Sequence, residues 1–61
     1  MPFVDIKLFE GRLTPETTPA LIGAVTEAFV SVFGEGVREA TWVTLTEVPR
    51  ENWGIGGDTQ E

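Results

Sequence analysis

One amphipathic helical stretch between two strand-like runs is the feature that most constrains this chain. Leu21, Ile22, Val25, Ala28, Phe29, Val32 and Phe33 recur at spacings of one, three and four, which lays an apolar stripe along a helix. Ahead of it, Phe3 to Phe9 alternate: Val4, Ile6 and Leu8 share one face, and Phe3, Asp5, Lys7 and Phe9 share the other, as in a β-strand. Behind it, Ala40 to Val48 reads as a second strand rich in Trp, Val, Thr and Leu. Strand, crossover helix and strand predict a βαβ unit with parallel strands and a right-handed connection. The predicted class is α+β, in a single domain covering residues 1–61.

Local signals place the element ends. Glu10-Gly11-Arg12 breaks the first strand, and Thr14-Pro15-Glu16 offers a helix cap followed by proline at the first helical position. Pro19 has no N–H to give the Pro15 carbonyl, so the helix either opens with an irregular turn or restarts with Thr18 as its cap. Gly34 and Gly36 stop it. The segment Asn52-Trp53-Gly54-Ile55-Gly56-Gly57 is too rich in glycine for a helix and is expected to form a hairpin or a strap against a neighbouring chain. It lacks both the Lys-Ser/Thr ending of a phosphate loop and the strand-to-helix setting of a dinucleotide fingerprint.

Two strands and one helix do not close a core. A chain of 61 residues without cysteine buries only about 60% of its unfolded surface and has no disulfide to reinforce it. Chains are therefore expected to pair into four-stranded sheets and to stack further copies on the uncovered surfaces. The absence of cysteine also excludes a thiolate metal site and suits a reducing cytoplasm. No apolar run is long enough to span a bilayer, and no basic start with an apolar segment marks a secretory signal, so a soluble, intracellular protein without a membrane partner is expected. The formal net charge is −6, the wrong sign for holding nucleic acid or acidic lipid. Lys7, Arg12, Arg38 and Arg50 are scattered, so any recognition of an anion is local.

With no His and no Cys, proton transfer near neutral pH needs another base. Pro2 directly follows Met1, and removal of Met1 would leave a secondary amine in a group that ordinarily titrates near ~8, lower when buried or beside a cation. On the residues alone, Pro2 also fits the start of an edge strand, where its missing N–H is harmless.

Pro2 opening a strand, Leu8-Phe9-Glu10-Gly11-Arg12 at its end, Val25-Thr26-Glu27-Ala28 in the helix, then Thr46-Glu47-Val48 and Gly54-Ile55-Gly56-Gly57, together resemble the 4-oxalocrotonate tautomerase family. The resemblance runs from Pro2 to about Gly57. It implies βαβ protomers assembled as a homohexamer, a trimer of dimers, and a site with neither cofactor nor metal. The implied chemistry moves a proton on an unsaturated or α-keto carboxylate, with Pro2 as general base and acid.

The resemblance also distributes site roles. Pro2 matches the catalytic proline, Arg12 an arginine that binds the substrate carboxylate, and Trp53 an aromatic residue that walls the pocket. Phe9 borders the site at the strand end. Trp42 stands where a second arginine is usual, and Arg38 in the preceding turn is the candidate to replace it. On the residues alone Trp42 suits interface packing and a pocket wall equally, and Trp53 suits the pocket wall better. Two alternatives accompany this reading: a dehalogenase or hydratase of haloacrylates, and a catalytically weak subunit of a hetero-oligomer whose partner chain supplies the missing arginine.

Overall fold

A computed structural model describes residues 2–60. Strand β1 (Phe3–Phe9), helix α1 (Thr17–Phe33) and strand β2 (Trp42–Val48) form the βαβ unit, and a hairpin of β3 (Gly54–Ile55) and β4 (Asp58–Thr59) follows. Short 3₁₀ segments, Glu35–Ala40 and Arg50–Asn52, lead into β2 and out of it. β1 and β2 pair in parallel, in a register running from Phe3 opposite Trp42 to Phe9 opposite Val48. The second strand starts at Trp42 rather than Ala40, because Gly36 to Ala40 continue as a 3₁₀ segment instead of extending at once.

The pleat sorts the sheet residues. Val4, Ile6 and Leu8 lie half-buried with Val43 and Leu45 on the helix side. Phe3, Asp5 and Lys7 lie exposed with Trp42, Thr44 and Thr46 on the other. The open face is apolar at its ends and polar in the middle, where Asp5 accepts a hydrogen bond from the Thr44 hydroxyl at 2.9 Å and one from Lys7 Nζ at 3.2 Å. Thr44 first, and Lys7 second, hold the Asp5 carboxyl below its ordinary value.

A two-stranded sheet is only about 10 Å across, at ~4.8 Å between strands, so it covers one side of α1 alone. Leu21, Ile22, Val25 and Phe29 reach the half-buried side, joined by Thr26 and Val30. Ala28, Val32 and Phe33, which belong to the same apolar stripe, face outward instead, with Val32 73% and Phe33 68% exposed. No described residue is fully buried in the isolated protomer, whose smallest dimension is 14 Å. The geometry is that of a layer, with Phe3, Trp42, Val32, Phe33 and Ile55 uncovered.

The two ambiguous local features resolve as follows. Thr14 opens the helical turn: its Oγ1 accepts the Glu16 N–H at 3.2 Å and the Thr17 N–H at 3.0 Å, and its own N–H donates back to Thr17 Oγ1 at 2.8 Å. This is a reciprocal capping arrangement with threonine in the place more often taken by glutamate. Pro19 then sits in the first turn of α1, whose regular assignment begins only at Thr17. In the C-terminal segment, Gly56 and Gly57 take φ of 61° and 92°, the pair of positive values that a two-residue hairpin turn requires.

Thr14→Ala removes the acceptor for two helical N–H groups and is expected to lower stability by about 1 kcal/mol. Urea denaturation of parent and variant, at one fixed protomer concentration, measures it.

Candidate functional site

Pro2 lies at the end of the sheet where both strands begin. Its carbonyl accepts the Trp42 N–H at 3.0 Å, which extends the parallel ladder by one residue and anchors Pro2 beside β2. On the helix side it opens onto a cavity of about 520 Å³ lined by Phe29, Phe33, Gly36, Val37 and Ala40. None of these side chains is ionisable, so a charge placed here meets an apolar lining and no counter-charge from it. Met1, and with it the state of the Pro2 nitrogen, lies outside the described residues.

Trp42 and Arg38 are near in sequence but do not line this cavity. The Trp42 side chain shares the outer face with Phe3 and is 59% exposed. Arg38 is committed to carboxylates: Glu35 and Glu27 each grip its guanidinium through two oxygens, the longer contacts being 3.2 Å in both cases. Glu35 and then Glu27 raise its pKa above the ordinary arginine value, and Arg38 in turn lowers both carboxyl groups. A guanidinium so neutralised is not available to a substrate anion in this conformation.

Arg12, Phe9 and Trp53 gather at the opposite end, where the strands finish. Gly11 takes φ of 89°, turning the chain sharply after β1, and the Arg12 N–H reaches back to the Phe9 carbonyl at 3.4 Å. Glu47 clamps the turn, its Oε2 accepting the Gly11 N–H at 2.8 Å and the Leu13 N–H at 3.0 Å. The N–H groups of both residues flanking Arg12 are thereby tied to β2, while the Arg12 side chain stays exposed. Trp53 packs against Phe9 with ring centroids 4.8 Å apart at 54°, and its Nε1 donates to the Val48 carbonyl at 3.1 Å, which fixes the indole over the end of the outer face.

The candidate residues therefore divide into two groups. The seven residues of β1 separate Pro2 from the Arg12 turn by roughly 20 Å at ~3.3 Å per residue. Within one protomer the structure brings Phe9, Arg12 and Trp53 to the same end and leaves Pro2 alone with its apolar cavity.

Sequence reasoning overlooked Glu47 and Arg50 as parts of this region. Glu47 carried a signal: it pairs with Leu8 in the register, an acidic residue on a face otherwise apolar. Arg50 stacks its guanidinium 4.8 Å from the Phe9 ring centroid.

Because the Glu47 carboxylate accepts both N–H groups of the Arg12 turn, Glu47→Ala is expected to speed hydrogen exchange of the Gly11 and Leu13 amides roughly tenfold. Glu47→Gln retains an acceptor oxygen and should show a smaller change. Amide exchange followed by NMR distinguishes the two.

Comparison with known proteins converges on one family. The family described as tautomerase enzyme matches residues 2–61. A 2-hydroxymuconate tautomerase of Pseudomonas putida is 42% identical over 57 residues, covering 93% of this chain and 87% of the relative. A solved structure from work on the 4-oxalocrotonate tautomerase isozymes of Methylibium petroleiphilum superposes with a TM-score of 0.81 at 44% identity, covering 97% of this chain and 92% of that one. A structure from a heterohexamer 4-oxalocrotonate tautomerase of Chloroflexus aurantiacus gives a TM-score of 0.81 at 28% identity, covering 98% and 94%. The matched span, the βαβ topology and the level of identity agree: this chain belongs to the tautomerase family of isomerases.

Proposed function

We propose that this protein is a cofactor-independent tautomerase of unsaturated or α-keto carboxylates, working through sites shared between copies of the chain in a homohexamer. Pro2 is its general base and acid once Met1 has been removed. One observation carries the shared site: the apolar cavity at Pro2 has no cation, and the end that has cations offers no comparable base, with the length of β1 between them. Each end supplies what the other lacks. Apposing the Pro2 end of one copy to the Arg12 end of another satisfies both, and it covers apolar surface that a lone protomer exposes.

In that site the Arg12 guanidinium holds the substrate carboxylate through paired donors. The neutral Pro2 amine takes a proton from the substrate. The resulting ammonium returns a proton at another position of the same conjugated system, so that bonds shift without net gain or loss. The apolar lining lowers the amine's proton affinity toward neutrality. Trp53, fixed by its hydrogen bond to Val48, walls the pocket and limits water. The cysteine-free chain is compatible with work in the reducing cytoplasm.

A second reading has a specific observation in its favour. Trp42 offers no fixed positive charge where family resemblance expects arginine, and Arg38 is already paired. A mixed assembly, such as the heterohexamer described for the Chloroflexus relative, would let a different chain contribute that charge. Sedimentation and native mass spectrometry of the protein produced alone decide between the readings. Homohexamers active toward 2-hydroxymuconate support the first, and inactive or unassembled chains support the second.

Sharing of sites makes a direct prediction. Pro2→Ala and Arg12→Ala variants are each expected to be severely impaired, and refolding them together should restore turnover that neither has alone, because some sites then combine an intact Pro2 with an intact Arg12. Absence of any recovery in assemblies proven to be mixed contradicts shared sites. The pH profile of kcat/KM in processed protein should rise through an inflection below the ~7.7–8.0 of an ordinary α-amino group, and protein retaining Met1 should show no such limb.

A further inference from the structure

The four cations of this chain are unequally occupied. Lys7 pairs with Asp5, and Arg38 with Glu27 and Glu35. Among the described residues Arg12 and Arg50 form no ion pair, although the chain carries ten acidic side chains. Both residues belong to the same end of the protomer and border Phe9: the Arg12 backbone N–H donates to the Phe9 carbonyl, and the Arg50 guanidinium lies over the Phe9 ring.

The setting of Arg50 is ordered by its backbone. Pro49 leads out of β2 into the 3₁₀ turn Arg50–Asn52, which is closed by Asn52 N–H donating to the Pro49 carbonyl at 2.9 Å and Trp53 N–H donating to the Arg50 carbonyl at 3.1 Å. The same turn delivers Trp53 to its contact with Phe9. Phe9 is thus shared between a guanidinium and an indole, each centred 4.8 Å from its ring. Stacking on an aromatic ring orients a guanidinium while leaving its in-plane N–H donors available for hydrogen bonding.

We infer that Arg50 is a second substrate-binding cation, engaging a carboxylate that Arg12 does not hold and so supplying the positive charge that Trp42 cannot. The inference rests on the shared-site reading above and adds a specificity-determining residue to it. Two separate guanidiniums at one end discriminate by charge number: a dicarboxylate engages both, whereas a monocarboxylate of the same length engages Arg12 alone. An acidic chain repels a dianion more than a monoanion at long range, which makes a second local cation more consequential for the former.

The test compares Arg50→Ala, Arg50→Gln and Arg50→Lys with the parent, each confirmed by sedimentation to be assembled alike. Steady-state turnover of 2-hydroxymuconate is set against that of a monocarboxylate dienol of matching length. Separately, NMR titration of the Trp53 Nε1–H resonance with adipate and with hexanoate reads binding without any proton transfer. Arg50→Ala and Arg50→Gln are expected to lose roughly 10–100-fold in kcat/KM for the dicarboxylate, mainly through KM, and to weaken adipate binding to a similar degree. Arg50→Lys should recover part of both, and the monocarboxylates should change little. Unchanged adipate affinity in the Ala and Gln variants overturns the inference, as does an equal loss for adipate and hexanoate. If the parent binds adipate through Arg50 yet turns over neither dienol, the catalytic reading fails while the assignment of Arg50 stands.

Discussion

Parallel pairing of β1 with β2 sets the rest of this structure. Two strands can run side by side in the same direction only if the chain crosses back between them, and here α1 makes the crossing on one face of the sheet. The other face is left open, with Phe3 and Trp42 at one end and Phe9 at the other. Parallel strands also begin together and end together. Pro2 and the start of β2 must therefore share one edge of the molecule, and the turns that follow the strands must share the opposite edge. The split between Pro2 at one end and the Arg12 and Arg50 turns at the other follows from topology, before any side chain is considered.

Charge distribution gives that split its chemical meaning. With a formal charge of −6, the chain as a whole repels carboxylates, although screening at physiological salt limits the effect to about 8 Å. Anion recognition then depends on cations that are locally uncommitted. Lys7 and Arg38 are occupied within the protomer: Lys7 by the Asp5 that Thr44 also holds, Arg38 by two carboxylates whose proton affinity it depresses. Acidification reverses the second arrangement. The folded-state pKa values of Glu27 and Glu35 lie below the ordinary glutamate value, so their contribution is complete above that value and disappears as pH falls through the lowered one. Throughout the neutral range Arg38 remains a brace between α1 and the 3₁₀ segment that lines the Pro2 cavity.

Much of the fold is legible in the residues because the relevant rules are local. The alternation from Phe3 to Phe9 marks β1 to the residue, and paired glycines at 56 and 57 force a tight hairpin turn. The start of β2 is displaced because Gly36 signals a helix stop but not the 3₁₀ segment that carries the chain on to Ala40. The helical stripe is visible as a stripe, yet its outward part, Ala28, Val32 and Phe33, cannot be separated from its inward part without knowing that only two strands cover it. The site is legible as residue types and not as an arrangement. Pro2 and Arg12 stand out singly, but their separation along β1 emerges only in three dimensions. Glu47 and Arg50 were missed for a related reason: each acts on a partner 34 or more positions away, through a carboxylate on the backbone of the Arg12 turn or a guanidinium on Phe9.

The layer is only 14 Å thick and none of its described residues is fully buried, so the protomer's own packing supplies little of the apolar burial that dominates folding. In the proposed assembly the surfaces that stabilise the fold are also those that bring Pro2 to Arg12. Folding and catalysis then share one dependence on protomer concentration, and diluting the protein would remove both together. The open outer face bears on this directly. Its central Asp5, Lys7 and Thr44 already satisfy one another within the protomer, so a neighbouring copy can cover the flanking Phe3 and Trp42 without having to provide charged partners of its own. At that position tryptophan contributes what arginine would not, a large apolar surface free of the cost of desolvating a charge. An indole at the start of β2 therefore favours association over electrostatics. In the proposed site the charge that Trp42 does not carry comes from the other end of the protomer, where Arg50 lies beside Phe9.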